Sequence, residues 1–289
     1  MNTLFPNFHS LQFNGKLLSI QKPILMGILN VTPDSFYEKS RLQLVDEVLE
    51  RGGKMLAEGA QILDIGGHST RPNSAYVSEE EEISRVVPMI EALHRDFPDA
   101  ILSVDTYRLK VAQEAIKSGA FLFNDIGFGN MDDGVLEWVA SENIPYVLSH
   151  SVGKFEEVHQ LPNYLNVVEE VWESMAKKVQ YLREKGHRNL ILDPGLGFSK
   201  SLMDNYAILA NLEQFKNLGA PLLVGVSRKS MICKYLGIKA EEALNATTAL
   251  HMAALLKGAS ILRVHDIKEA QEVVALFENL ANYDVSNFS

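Results

Sequence analysis

One local pattern repeats along this chain and limits the folds that it can adopt. A short apolar run stops at a polar residue, a loop with glycine or proline follows, and a stretch of helical character comes next. The segment Asn189–Lys200 (NLILDPGLGFSK) shows it most clearly, since its apolar run suits a buried strand and Pro194 cannot continue a ladder of hydrogen bonds. Asp193 should therefore lie where a strand leaves the core.

The same unit occurs eight times, which predicts a fold. The predicted strands are Ile24–Leu29, Ile62–Ile65, Ile101–Val104, Phe121–Phe123, Tyr146–Leu148, Leu190–Leu192, Leu222–Val226 and Ile261–Leu262. Strands that alternate with helices pair in parallel through crossovers, and eight units in about 260 residues match a closed (β/α)₈ TIM barrel of the α/β class. An open doubly wound sheet is the alternative, although the first strand is not followed by the GxGxxG loop that such a sheet would need.

Two features refine this picture at the start of the chain. The pair Asn14–Gly15 between apolar flanks predicts an N-terminal β-hairpin at about 8–20, because both turn positions need positive φ. No linker or shift of composition divides the rest, so we expect a single domain over residues 1–289.

The helices between the strands are predicted from their apolar periodicity and their caps. Helices are predicted at Gln43–Glu58, with an interruption or kink near Gly52–Gly53, and at Leu202–Lys216. Ser78, three residues before a glutamate, predicts a capping box, and the acidic run Glu79–Glu82 indicates a helix start on a solvated surface rather than a metal site.

Composition excludes some partners. The formal net charge of −10 disfavours nucleic acid and membrane surfaces, and no apolar run approaches the ~18 residues of a membrane helix. The single cysteine, Cys233, rules out an internal disulfide and fits a reducing compartment. We therefore expect a cytoplasmic protein with neither nucleic acid nor membrane as a partner.

Polar residues end all eight predicted strands. They are Asn30, Asp64, Asp105, Asn124, His150, Asp193, Lys229, and Arg263 with His265. In a barrel these ends ring one face, where active sites are built. A single buried polar residue could be a satisfied core group, but a full ring of them indicates a functional site.

The sign of charge changes around this ring. Early and middle strands supply carboxylates and amides, whereas the last two supply Ser227, Arg228, Lys229, Ser230, Arg263 and His265. Barrels often bind phosphate after their last two strands, so we expect a phosphorylated ligand. Its other end, a planar heterocycle with N–H donors, should meet Asp105, Asn124 and Asp193. The loops Val31–Lys39 and Gly66–Ser74 are candidate lids.

Seven motifs in order, between Ile24 and Glu272, carry a family resemblance. They are Met26–Phe36 (MGILNVTPDSF), Gly66–Pro72 (GGHSTRP), Ser103–Thr106, Asn124–Ile126, Leu192–Phe198, Val226–Ile232 and Arg263–Asp266. The chain resembles the bacterial dihydropteroate synthases, folate-biosynthesis transferases that are the targets of sulfonamides. The resemblance implies a barrel, usually a homodimer, that condenses 6-hydroxymethyl-7,8-dihydropterin pyrophosphate with p-aminobenzoate to give 7,8-dihydropteroate and pyrophosphate.

The resemblance also implies residue roles. For the pterin these are Asp105, Asn124, Asp193 and Lys229; for the pyrophosphate, Thr70, Arg71, Arg263 and His265; for p-aminobenzoate, Phe36, Pro72, Phe198 and Ser227. Asn30 would hold Mg²⁺, and Asp34, Arg71, Asp105 and Lys229 would take part in catalysis. The implied reaction is SN1-like: pyrophosphate leaves first, and the arylamine attacks the cationic pterin methylene.

Four places depart from the family pattern. His68 replaces a glutamate, Ser149 and Ser151 replace methionines beside a histidine, Ser199 replaces a glycine, and residues 35–40 read SFYEKS. We expect His68 to be a structural variant and not a ligand. Two other functions stay open: a pterin-dependent methyltransferase domain on the same barrel, and a catalytically degenerate homologue that binds pterin or a protein partner.

Overall fold

The computed structural model describes residues 9–31, 41–68, 76–153 and 161–283. Strands β1 (His9–Phe13) and β2 (Lys16–Ile20) form the expected antiparallel hairpin, with positive φ at Asn14 and Gly15. The hairpin lies where the barrel strands begin. Lys16 donates to the carbonyl of Ala100, just before a strand, and Asn189 exchanges hydrogen bonds of 2.9 and 3.1 Å with the backbone of Gln12.

Eight further strands form one parallel sheet. They are β3 (Ile24–Asn30), β4 (Ile62–Gly66), β5 (Ile101–Thr106), β6 (Leu122–Asp125), β7 (Tyr146–Ser149), β8 (Leu190–Asp193), β9 (Leu223–Val224) and β10 (Ile261–Val264). Their order is β8-β7-β6-β5-β4-β3-β10-β9, and a parallel bridge between Leu192 and Leu222 joins the two ends. The (β/α)₈ barrel is thus confirmed, and the open sheet is excluded.

Helices follow the strands and cover the outside of the barrel. They are α1 (Arg41–Ala57), α2 (Glu79–Asp96), α3 (Leu109–Lys117), α4 (Val135–Glu142), α5 (Val167–Glu184), α6 (Leu202–Ala210), α7 (Ser230–Leu236), α8 (Leu244–Leu256) and α9 (Ile267–Asn282). The prediction of one continuous helix at Leu202–Lys216 is wrong. The α-helix ends at Asn211, whose side chain caps the carbonyl of Ala207, and a 3₁₀ segment continues at Leu212–Leu218.

Within the described residues, no helix has both the length and the apolar character needed to cross a membrane.

The interruption predicted in α1 is also wrong, because the helix runs through Gly52 and Gly53 to Ala57, and the alternative of a kink there stays a prediction. A Cβ atom at Gly52 would lie 2.8 Å from Cδ2 of Leu93 on α2. Glycine at this position therefore allows α1 and α2 to approach closely, and this packing outweighs the low helix propensity of glycine.

The acidic start of α2 is only partly solvated. Ser78 caps the helix through the backbone N–H of Glu81 at 3.1 Å, as expected. Glu82, however, is fully buried and accepts from Arg108 at 2.6 Å, so its predicted exposure is wrong. Arg108 also donates to the carbonyl of Val77 at 2.7 Å. A long-range ion pair compensates this buried carboxylate, and the local pattern could not reveal it.

Strand alternation explains how the barrel positions its polar residues. One apolar cluster, which we call the base, fills the lumen next to the hairpin; its members include Leu11, Leu18, Ile20, Met26, Ile62, Ile101, Leu122, Val147, Ile191, Leu223 and Ile261. A second cluster packs between sheet and helices. Residues two apart on a strand face the same side. On six strands, the residue two positions after a base residue is polar and also faces the lumen. These residues are Asp64, Ser103, Asn124, Ser149, Asp193 and Arg263. We call the end of the barrel where they lie the mouth.

Candidate active site

A charged network around Arg263 occupies the centre of the mouth. The Nε atom of Arg263 donates to Oδ2 of Asp64 at 2.7 Å, and its Nη2 atom donates to Oδ2 of Asp105. Asn124 donates through Nδ2 to the same oxygen of Asp64 at 3.0 Å. Residues from β4, β5, β6 and β10 are thereby joined across the lumen.

This network holds two carboxylates against one guanidinium. Burial raises the pKa of Asp105 to about 7, although Arg263 opposes this effect. Burial alone would lower the pKa of Arg263, but Asp105 and Asp64 raise it above its usual range, so Arg263 stays charged. The Oδ1 atoms of both carboxylates are buried without a hydrogen-bond partner among the described residues. Such acceptors suit the N–H donors of a ligand.

The loop after β8 carries a second group of site residues. Oδ1 of the buried Asp193 accepts from the backbone N–H of Gly195 at 2.7 Å. Lys229 reaches this loop from the end of β9, where it donates to the carbonyl of Leu196 and lies 5.0 Å from the ring centre of Phe198. Burial raises the pKa of Asp193 and lowers that of Lys229 to about 8, and the attraction between the two groups opposes both shifts.

The remaining described site residues are Asn30, Ser227 and His265, and we call the part of the mouth that they line the rim. The backbone N–H of His265 donates to Oγ of Ser227 at 3.2 Å, and its Nδ1 atom lies 3.0 Å from that oxygen. Asn30, at the end of β3, is half-buried. A Cβ atom on Gly66 would lie 3.4 Å from Oδ1 of Asn30 and 3.6 Å from Oδ2 of Asp105. The amide and the carboxylate therefore border the same space beside a bare glycine.

Some predicted residues are not placed with this group. Asp34, Phe36, Thr70, Arg71 and Pro72 lie outside the described residues. Arg228 is described, but it does not join the cations of the mouth. Its Nε and Nη2 atoms bind the carboxylate of Asp266 at 2.8 and 2.9 Å, so its charge is already paired, and its predicted place beside a phosphate stays a prediction.

The departures from the family pattern have local partners. Ser151 donates to the carbonyl of Ile126 at 2.9 Å, and Oγ of Ser149 lies 3.5 Å from Oδ1 of Asn124. Ser199 has φ of +48°, a conformation that favours glycine, and its hydroxyl bonds both backbone groups of Val152 at 3.1 Å.

His68 lies near two arginines, and its charge state follows from them. Burial, Arg108 and Arg85 lower the pKa of His68 to about 4, so the ring is neutral at pH 7. The side chain of the residue is buried, next to the ring of Tyr107 at 6.3 Å between ring centres. Its role as a structural variant stays a prediction.

Two charged residues of the mouth had no assigned role. Asp64 was recognised only as a polar strand end, yet it binds both Arg263 and Asn124. Its register, two residues after Ile62, was a usable signal. Lys200 is buried at the end of the loop that follows Asp193, and the sequence held no signal for its contact with His150, which lies 50 positions away.

The donor set at the mouth fits a magnesium ion that arrives with a phosphorylated ligand. Among the described residues, no group of three or more His, Cys, Asp or Glu side chains could hold a metal ion alone. Mg²⁺ commonly takes one or two protein oxygen atoms and completes its shell with water and substrate phosphate. The amide oxygen of Asn30, beside Asp105, meets that requirement.

Comparisons with known proteins agree with this geometry. Residues 26–265 match the model of the family described as "Pterin binding enzyme". Dihydropteroate synthase of Escherichia coli K12 is 40% identical over 266 residues, which cover 91% of this chain and 94% of the relative. Two solved structures superpose with a TM-score of 0.86: Xanthomonas albilineans dihydropteroate synthase with 4-aminobenzoic acid (36% identical, 95% and 99% covered) and the Yersinia pestis enzyme in a sulfonamide drug complex (38%, 95% and 100%). The chain therefore belongs to the dihydropteroate synthase family of pterin-binding enzymes.

Proposed function

We propose that this protein joins 6-hydroxymethyl-7,8-dihydropterin pyrophosphate to p-aminobenzoate, giving 7,8-dihydropteroate and pyrophosphate, as a transferase of folate biosynthesis. The observation that carries this proposal is the mouth itself. It sets buried carboxylate and amide acceptors beside the cations of the last two strands. A ligand that is a hydrogen-bond donor at one end and an anion at the other fits this distribution.

The acceptors would hold the pterin ring. We assign Asp105, Asn124, Asp193 and Lys229 to it. The unpartnered Oδ1 of Asp105 and the buried carboxylate of Asp193 can accept from pterin N–H groups, and the ammonium of Lys229 can donate to its carbonyl. Charge-assisted hydrogen bonds in a site shielded from water contribute about 1.5–3 kcal/mol each.

The cations would take the pyrophosphate. Arg263 and His265 lie at the end of β10, and we assign Thr70 and Arg71 to the same group from the family motif. Positive charge placed where the leaving group gains electrons lowers the barrier to its departure. When bound at Asn30, Mg²⁺ would supply further positive charge to the pyrophosphate.

The arylamine would bind at the rim, against Phe36, Pro72, Phe198 and Ser227. The reaction needs no strong base, since the neutral amine is already a nucleophile. The carbon–oxygen bond breaks with its electron pair leaving on pyrophosphate, and the amine then attacks the methylene cation and loses a proton to water. The carboxylate of Asp34 or Asp105 would favour the cation while it exists.

Three finer proposals accompany the reaction. Sulfonamides should compete with p-aminobenzoate for the rim, as the Yersinia pestis complex suggests. A homodimer is favoured by apolar side chains that two contacting helices expose: Leu276 (61%) and Leu280 (55%) on α9, and Leu256 (48%) on α8. A solution mass of one chain would refute the dimer. We place the protein in the cytoplasm.

The test is pyrophosphate release by the purified protein with pterin pyrophosphate and Mg²⁺, in the presence and absence of p-aminobenzoate. We expect release that depends on p-aminobenzoate, yields dihydropteroate in equal amount, falls when Mg²⁺ is chelated and is inhibited competitively by a sulfonamide. Pterin binding without any release would instead support a binding-only homologue. Methyl transfer from a methylated pterin would support the methyltransferase.

A further inference from the structure

Lys200 is a buried cation that the proposed reaction does not use. The residue is 6% exposed, at the end of the loop that begins with Asp193. Its Nζ atom lies 3.0 Å from the carbonyl oxygens of Gly195 and Phe198, 3.4 Å from that of His150, and 3.1 Å from Nδ1 of His150. Four acceptors therefore surround one ammonium group.

The surroundings of Lys200 match its charged form. An ammonium group has three donors and no acceptor, so it can satisfy three of these four atoms at a time. Burial lowers the pKa of Lys200 to about 7, and the carboxylates of Asp193 and Asp204 act against burial while Lys229 adds to it. Burial and Lys200 together also keep the pKa of His150 well below its usual range, so this ring is neutral and its Nδ1 can accept.

The contacts of Lys200 cross between two loops. Gly195, Phe198 and Lys200 belong to the loop after β8, whereas His150 follows β7. The two loops are in direct contact, because a Cβ atom at Gly195 would lie only 1.8 Å from the carbonyl oxygen of His150. Gly195 has φ of +73°, and in this conformation its N–H donates to Oδ1 of Asp193 at 2.7 Å.

Other groups hold the rest of the loop, and the only side chain that binds the carbonyl of Gly195 among the described residues is Lys200; the backbone N–H of Phe198 donates to the same oxygen at 3.2 Å. Asn205 of α6 accepts from the N–H of Gly197 at 2.6 Å, and Lys229 donates to the carbonyl of Leu196. The carbonyl of Gly195 is bound by Lys200. The residue that orients Asp193 is therefore itself oriented by the buried ammonium.

We propose that Lys200 is a positioning residue for pterin binding: its ammonium clamps the loop after β8 onto His150 and so aims the carboxylate of Asp193 at the pterin ring. This inference rests on the proposed function, which assigns Asp193 to the pterin. It adds a residue that touches no substrate and acts through the backbone of Gly195. A neutral side chain of equal length would lose the bonds to Gly195 and His150, whereas the bonds of Ser199 to Val152 would still join the ends of the two loops.

A double-mutant cycle tests the route through Asp193. Binding of the unreactive alcohol 6-hydroxymethyl-7,8-dihydropterin is measured by calorimetry for wild type, Lys200→Met, Asp193→Asn and the double variant. We expect Lys200→Met to weaken binding by about tenfold in wild type but less than about threefold in Asp193→Asn, because the group it positions has already been changed. The exposed Lys234 gives the control variant, Lys234→Met, which should bind as wild type does.

A chemical rescue separates charge from packing, since Lys200→Met could also perturb folding. In a Cys233→Ser background, Lys200→Cys is alkylated while unfolded with either a 2-aminoethyl or a propyl group and is then refolded. The two adducts have nearly the same shape, and only the first carries an ammonium. We expect the aminoethyl adduct to recover pterin binding to within about threefold of the background, and the propyl adduct to stay about tenfold weaker.

These outcomes separate the two proposals. If Asp193→Asn binds the pterin alcohol as wild type does, the assignment of Asp193 to the pterin fails. If Asp193→Asn weakens binding but Lys200→Met does not, only the role of Lys200 fails. The same follows if the losses in binding free energy of the two single variants add fully in the double variant. Equal binding by folded aminoethyl and propyl adducts would likewise overturn it.

Discussion

The base and the mouth of the barrel are built by the same strands, but the base buries apolar side chains and the mouth buries charged ones. At the base, Met26, Ile62 and Ile191 pack against Leu11 and Ile20 of the hairpin and bury only apolar atoms. Two to four residues further along the strands, Asp64, Asp105 and Arg263 are held with little access to water.

This difference indicates how the two ends contribute to stability and function. Burial of apolar surface at the base stabilises the fold by about 25 cal/mol per Å². Burial of charge at the mouth is costly, and it displaces the pKa of Asp105, Asp193 and Lys229 from their usual ranges. A change at the base should therefore alter stability alone, whereas a change at the mouth should alter activity and, where it leaves a buried charge unpaired, stability as well.

The strongest way to break this comparison is Arg263→Met. It removes the cation that binds Asp64 and Asp105, so two carboxylates remain buried without their partner. We expect the kcat/KM of pyrophosphate release to fall by about 1000-fold or more, and the free energy of unfolding to drop by about 3–5 kcal/mol. The exposed Arg95 provides a control, Arg95→Met. A variant with activity within tenfold of wild type would contradict the central place of this network.

The matching change at the base is Leu11→Ala. Leu11 is 1% exposed in the hairpin, and truncating it leaves a cavity in the inner apolar cluster. We expect urea denaturation to show a loss of about 2–5 kcal/mol, while kcat/KM stays within about threefold of wild type under conditions where the protein is folded. A large fall in kcat with little loss of stability would show that the two ends are not separable in this way.

The smallest expected effect is a change of activity with pH, which should depend on the charged groups of the mouth and not on the base. Burial lowers the pKa of Lys229 to about 8, so its ammonium is present below that pH and lost above it. We expect kcat/KM for the pterin substrate to decline by up to about tenfold per pH unit above pH 8, in addition to the loss that follows when Lys200, whose pKa is about 7, gives up its proton. Leu11→Ala should keep this profile, because it alters no titratable group. A flat profile to pH 9.5 would contradict a requirement for protonated Lys229.

The sequence predicted the mouth better than it predicted what supports it. Asp105 and Asp193 were located because a strand that ends before a turn has a strong local pattern. The pairing of Glu82 with Arg108 and that of Lys200 with His150 were not, since each pair joins two elements: Arg108 is 26 positions from Glu82, and His150 is 50 positions from Lys200. A local pattern carries no record of such pairs.

Helix continuity illustrates the same limit. Gly52 and Gly53 predicted a break in α1, but contact with Leu93 of α2 accounts for Gly52 inside an unbroken helix. Asn211 gave no strong local stop signal, yet it ends α6 by capping the carbonyl of Ala207. Propensity is a weak prior whenever packing between elements decides the outcome.

The hairpin has a practical consequence for handling the protein. Because β1 and β2 cover the base, Leu17 on β2, which is 61% exposed, lies at the end of the barrel opposite the mouth. A cysteine at position 17 would have only the partly buried Cys233 as a competing thiol. Protein immobilised on a sensor surface through that thiol would have its ligand entrance facing the flowing solution.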